Sequence, residues 1–228
     1  MRIGGLQKTT MLDFPGKVSS VVFTQGCNFF CPYCHNPDLV VYRGEALAVA
    51  DVIAFLVKRR KVLEGVVISG GEPTLHEGLF SFCATVKSLG YAVKLDTNGS
   101  RPEVLRLLLQ AELLDYVAMD VKADPEQYPA ILCPQGAGDT ILRSMALLEE
   151  SRIPHEFRVP CVAPFINADS FTAIIEHINQ APLFLQAVRL ANVLQADFFP
   201  GQGYALDKGA MEHLCVTARE KGLNCQMR

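Results

Sequence analysis

Long hydrophobic runs are missing from this 228-residue chain. No stretch of about 18 uncharged apolar residues occurs, the length that a membrane-crossing helix requires. The opening "MRIGGLQKTTMLDFPGK" has no apolar core of the kind a secretory signal carries. A basic surplus is missing as well: 21 Lys and Arg stand against 24 Asp and Glu, a formal net charge of −3. Such a balance offers nothing general for neutralising phosphates, so no nucleic-acid partner is implied. Linkers, repeats and low-complexity segments are also lacking. These absences lead to the expectation of a cytoplasmic, membrane-free chain folding as one domain over 1–228. In that compartment thiols stay reduced, and the eight cysteines then point to metal or catalysis more than to disulfides.

What is present is a regular alternation. Apolar, β-branched runs stand at 19–25, 65–70, 92–99, 116–122, 156–162 and 187–194. Several are continuously apolar, as strands of a parallel sheet covered on both faces must be. Between them lie stretches with apolar residues at helical spacing, and a last helix fits "DKGAMEHLCVTAREKG". Pro102 suits a first helical turn, Gly90 and Gly222 suit helix ends, and Asp169 suits a cap. The segment 133–138, "CPQGAG", reads as a surface loop. About six right-handed βα units wind into either an open doubly wound sheet or a barrel, and periodicity alone does not choose.

Polar and glycine-rich stretches gather after the strands: a cysteine loop after the first, "SGGEPT" after the second, "LDTNG" at the third, "MDVK" at the fourth. In either parallel architecture that edge carries the active site. The cysteine loop, "GCNFFCPYCHN", sets Cys27, Cys31 and Cys34 within eight positions. Its CxxCH segment fits covalent haem attachment, which normally requires export. Structural zinc would need the adjacent Cys34 and His35 to reach one ion. A redox dithiol would leave Cys27 idle. A four-iron cubane uses all three thiolates and leaves one iron open, as a catalytic centre needs. Cys83, Cys133, Cys161, Cys215 and Cys225 are scattered and read as buried small hydrophobes.

CxxxCxxC with Tyr33 before its last cysteine, followed by "GGEP" at Gly70, Gly71, Glu72 and Pro73, resembles the radical S-adenosylmethionine enzymes. "TMLDFPGK" leading into "VVFTQGCNFFCPYCHN" is similar to the opening of glycyl-radical-enzyme activating proteins, and within these to the activators of anaerobic ribonucleoside-triphosphate reductase. The resemblance implies an α/β fold, a partial (β/α)6 TIM-type barrel whose parallel sheet is surrounded by helices. It implies a 4Fe-4S cluster on Cys27, Cys31 and Cys34, with S-adenosylmethionine on the fourth iron. Gly70 to Pro73 would meet the methionine amino group and Tyr33 the adenine. Asp96, Thr97, Asn98, Asp120 and Lys122 would line the carboxylate and ribose, with Gln195 or Asp197 contacting the ribose near the end of the sixth strand. Asp96 and Asp120 could hold a monovalent cation. The implied partners are a glycyl radical enzyme as protein substrate, with anaerobic ribonucleotide reductase the nearest, and a flavodoxin or ferredoxin as electron donor. No catalytic histidine is implied. The rival reading is a radical enzyme acting on a small molecule, such as a deazaguanine-type ring-contraction enzyme.

Overall fold

The computed structural model describes residues 1–133 and 136–228. Its strands are β1 (Ile3–Thr10), β2 (Ser19–Thr24), β3 (Gly65–Gly70), β4 (Ala92–Thr97), β5 (Tyr116–Asp120), β6 (His155–Pro160), β7 (Leu183–Gln186) and β8 (Cys225–Met227). The α-helices are α1 (Pro37–Val40), α2 (Val49–Arg59), α3 (Leu79–Ser88), α4 (Pro102–Gln110), α5 (Gly138–Glu150), α6 (Ala168–Ile175) and α7 (Lys208–Glu220). One eight-stranded sheet follows chain order from β1 to β8. Contacts group the chain into two compact units interleaved in sequence. The first takes Met1–Asn28, Asp38–Thr97 and Glu103–Val117, and the second takes Phe29–Pro37, Asn98–Pro102 and Ala118–Arg228.

In the first unit β2, β3 and β4 pair in parallel, and β1 adds an antiparallel edge to β2. The parallel strands are largely covered on both faces: Val66, Val67 and Ile68 are fully buried, as are Val93 and Leu95. Phe14, from the loop between β1 and β2, packs with Val21 and Val67 and against Phe23, Ala92 and Tyr116. A Cβ at Gly65 would come within 2.8 Å of the Phe14 ring, so the small residue there makes room for it. The loop is braced at both ends: the Thr10 hydroxyl donates to Asp13 (2.6 Å), and the Lys17 amide donates to the Phe14 carbonyl around a Pro15–Gly16 turn. "LDFPGK" therefore lies at the start of β2, while the cysteine loop follows its far end. Six residues of strand, roughly 20 Å, separate the two.

In the second unit β6, β7 and β8 pair in parallel. The expected sixth strand over 187–194 is displaced: the strand is Leu183–Gln186, and 187–194 is irregular, with Asn192 at a positive φ of 56°. Helix α6 is capped by Asn167, not Asp169; its side chain accepts from the Ser170 amide, and Ser170 reciprocates to the Asn167 amide. Pro102 does open α4, and Gly90 and Gly222 follow their helices at φ of 89° and 85°. In the expected 133–138 loop, Cys133 is buried and α5 already begins at Gly138; residues 134–135 lie outside the described residues. Among the described residues no helix is long and apolar enough to cross a membrane.

Candidate active site

In the first unit a turn beyond β3 is folded onto the start of the cysteine loop. Beyond β3 the Gly71 amide donates to the Thr24 carbonyl (2.9 Å) and the Glu72 amide to the Gly26 carbonyl (2.8 Å). A Cβ on Gly70 would sit 2.4 Å from the Thr24 nitrogen, and one on Gly71 would sit 2.0 Å from the Gly26 oxygen. Both glycines are thus required by the protein's own backbone, with Gly70 also at φ 112°. Their missing side chains are explained without invoking a ligand.

Glu72 is fully buried, and its Oε1 accepts from the Thr74 amide (3.1 Å), the Thr74 hydroxyl (2.5 Å) and the Thr97 hydroxyl (2.8 Å). This carboxylate joins the end of β3 to the end of β4. Pro73, also buried, opens the short 3-10 turn that brings Thr74 round to it. Asp96 shares its strand face with Lys94, two residues earlier, and the two form an ion pair at 2.5 Å. Lys94 is fully buried. Cys27 belongs to this unit and is partly exposed.

The second unit holds Cys31, Tyr33, Cys34, Asn98, Asp120, Lys122 and Gln195. The cysteine segment is held by its backbone: the Phe30 amide donates to the Leu132 carbonyl, Leu194 to Cys34, and Gln195 to Pro32. Gln195 therefore acts here as a clamp on the loop through its main chain, nine residues past the end of β7. Asn98 accepts from the Ser100 amide (2.9 Å), a turn that leads into α4. Lys122 pairs with Asp120 at 2.9 Å. The Lys122 backbone amide donates to the Tyr128 hydroxyl (2.8 Å), and the Tyr128 ring packs on Phe29. No motif pointed to Tyr128, which lies in an unpatterned loop.

The electrostatics of this unit are those of a buried polar cluster. Burial pushes the Cys31 thiol up to about 11, with Lys122 opposing. Burial alone would lower the Lys122 ammonium, but Asp120, then Cys31 and Tyr128, carry it above its ordinary range. Tyr33 is buried against Phe165, its phenol pushed well up by burial and then by Cys31. Its hydroxyl lies beside the Cys31 thiol. Among the described residues no three His, Cys, Asp or Glu side chains are gathered around a single-ion position.

The other cysteines lie elsewhere and deep. Cys83, Cys133, Cys161, Cys215 and Cys225 are all buried, and burial pushes Cys83 and Cys161 up to about 12. Cys83 and Cys161 are therefore inert packing residues at neutral pH.

Comparison with known proteins gives this arrangement its context. A protein of Methanocaldococcus jannaschii named for glycyl-radical-enzyme activation is 31% identical over 190 residues, covering 80% of this chain and 77% of its own length. The pyruvate formate-lyase-activating enzyme of Listeria monocytogenes is 30% identical over 139 residues, 56% of each chain, so the match spans little more than half of that relative. The crystal structure of Streptococcus suis SuiB bound to S-adenosylmethionine superposes with a TM-score of 0.65 at 13% identity, over 91% of this chain and 49% of that one. This likeness shows the fold, the α/β partial barrel of such enzymes. The family model described as "Radical SAM superfamily" matches residues 21–178. The chain belongs to the radical SAM superfamily, whose enzymes work with a 4Fe-4S cluster and S-adenosylmethionine.

Proposed function

We propose that this chain is a radical SAM activase that generates a glycyl radical on a partner enzyme, with anaerobic ribonucleotide reductase the nearest candidate, and that 1–228 works as one catalytic domain. The observation that carries the reading is the match over 80% of the chain to a relative named for glycyl-radical-enzyme activation. Cys27, Cys31 and Cys34 hold the 4Fe-4S cluster. A donor set of three thiols on one loop supports a fit to these cofactors. When bound, the reduced cluster would supply one-electron cleavage of S-adenosylmethionine into methionine and a 5′-deoxyadenosyl radical, the chemistry that hydrogen abstraction from a glycine Cα of the partner requires.

The chain's own residues bind and orient. The Gly70–Pro73 turn, fixed against Gly26, offers backbone to the methionine amino group. Glu72 holds Thr74 and Thr97 in one arrangement, so the ends of β3 and β4 keep a constant spacing. Lys122, charged at neutral pH, offers its ammonium to the methionine carboxylate. Tyr33 would lie near the adenine. Gln195 and Leu194 keep the cysteine segment from swinging away from its thiols' working position. Rigid placement is what such a site contributes, since the cofactors carry the chemistry. A flavodoxin or ferredoxin is the electron donor in this reading.

Anaerobically reconstituted protein, given a reductant, S-adenosylmethionine and anaerobic ribonucleotide reductase, is expected to produce the doublet of a glycyl radical by electron paramagnetic resonance. If 5′-deoxyadenosine accumulates only with a small-molecule substrate and no candidate protein acquires a radical, the rival small-molecule reading replaces this one.

A further inference from the structure

The sequence resemblance assigned a monovalent cation to Asp96 and Asp120, and the residues do not fit one. Asp96 already carries the ammonium of Lys94 at 2.5 Å, and Asp120 carries that of Lys122 at 2.9 Å. Lys94 is the more telling partner because its side chain is fully buried, on the same face of β4 as Asp96. Its ring neighbour is Tyr116, whose face lies 5.9 Å from the ammonium. An ammonium removed from water needs its counter-charge, and Asp96 supplies it. A sodium or potassium ion bound to the same carboxylate would stand a few ångströms from Lys94 in a medium that screens poorly, and the two positive charges would repel strongly.

We propose that Lys94 is a built-in counter-cation, a positioning residue that holds the Asp96 carboxylate and makes cofactor binding independent of any monovalent metal ion. The inference rests on the cofactor assignment of the preceding subsection. It separates this chain from what its sequence motifs imply, because "KLDTNG" places the lysine inside an apolar strand where a covered face would otherwise take an aliphatic residue.

The test is a titration calorimetry series on the anaerobically reconstituted protein with S-adenosylmethionine, at equal ionic strength in sodium, potassium or tetramethylammonium chloride. The affinity is expected to differ by less than threefold among the three salts. Tightening of threefold or more by sodium or potassium overturns the proposal. Lys94→Met should bind about tenfold more weakly in tetramethylammonium and regain at least threefold in sodium or potassium, as an ion enters beside Asp96. A folded Lys94→Met chain that binds like the unaltered one in tetramethylammonium also overturns it. Should that variant fail to fold, the salt series on the unaltered chain decides alone. Absence of binding in every salt contradicts the cofactor assignment itself, which is a different result from a cation requirement.

Discussion

Cys27→Ala, Cys31→Ala and Cys34→Ala are each expected to lose the four-iron cluster and to slow 5′-deoxyadenosine formation by at least about a thousandfold. Three thiolates are the fewest that can grip a cubane while leaving one iron for a ligand, so removing any one leaves an under-held cluster. The remaining five cysteines are buried, Cys83 on α3, Cys215 on α7 and Cys225 on β8 among them. The fold should survive in the Cys27 and Cys34 variants, whose side chains are only partly buried. Cys83→Ala is the control. It should cost about 1 kcal/mol of stability through a small cavity and leave iron content unchanged. Iron analysis and the electron paramagnetic resonance of the reduced protein check both halves of this expectation.

Glu72→Ala is expected to destabilise the chain by about 3 kcal/mol and to lower its melting temperature by roughly 6–12 °C. Its carboxylate is fully buried and takes three donors on one oxygen, from the Thr74 amide and the Thr74 and Thr97 hydroxyls. Truncation strands these donors away from water, and each stranded donor carries its own desolvation penalty. Glu72→Gln keeps an oxygen in the same place and should lose less than half as much. Thermal unfolding of the cluster-free protein, followed by circular dichroism, separates this bracing role from cofactor contact. If Glu72 serves cofactor binding only, both variants will melt like the unaltered chain.

Parallel strands were the most legible part of the fold, because an element covered on both faces is mostly apolar, and the fully or nearly fully buried runs Val21–Val22 of β2 and Val66–Ile68 of β3 meet that condition. The rest escaped for identifiable reasons. Strand β1, "IGGLQKTT", has two glycines and four polar residues, and it is an exposed edge whose pairing to β2 depends on partner and not on pattern. Strand β8 is three residues long. The sixth parallel strand, "LFLQ", was passed over for the valine-bearing 187–194 beside it, since alternation there imitates a strand while the chain in fact turns.

The site was legible as a set of residue types at strand ends, and less so as a set of partners. "LDFPGK" precedes the cysteine loop in sequence, but a whole strand lies between them, and Phe14 packs with Val21 and Val67 in the first unit. Gly70 and Gly71 stood out as glycines at a strand end, while their packing against Thr24 and Gly26 was not visible in the sequence. Lys94 and Tyr128 were missed because a pairing between side chains on one strand face, or between a loop hydroxyl and a distant amide, leaves no periodic trace.

The central claim is that three cysteines leave one iron open and that S-adenosylmethionine binds to it through its amino and carboxylate groups. Electron–nuclear double resonance of the reduced protein with S-adenosylmethionine labelled by 15N at the amino group and 17O at the carboxylate tests it most directly. Hyperfine coupling of both labels to the cluster spin is the predicted result. A reduced cluster of four irons that shows coupling to neither label would contradict it.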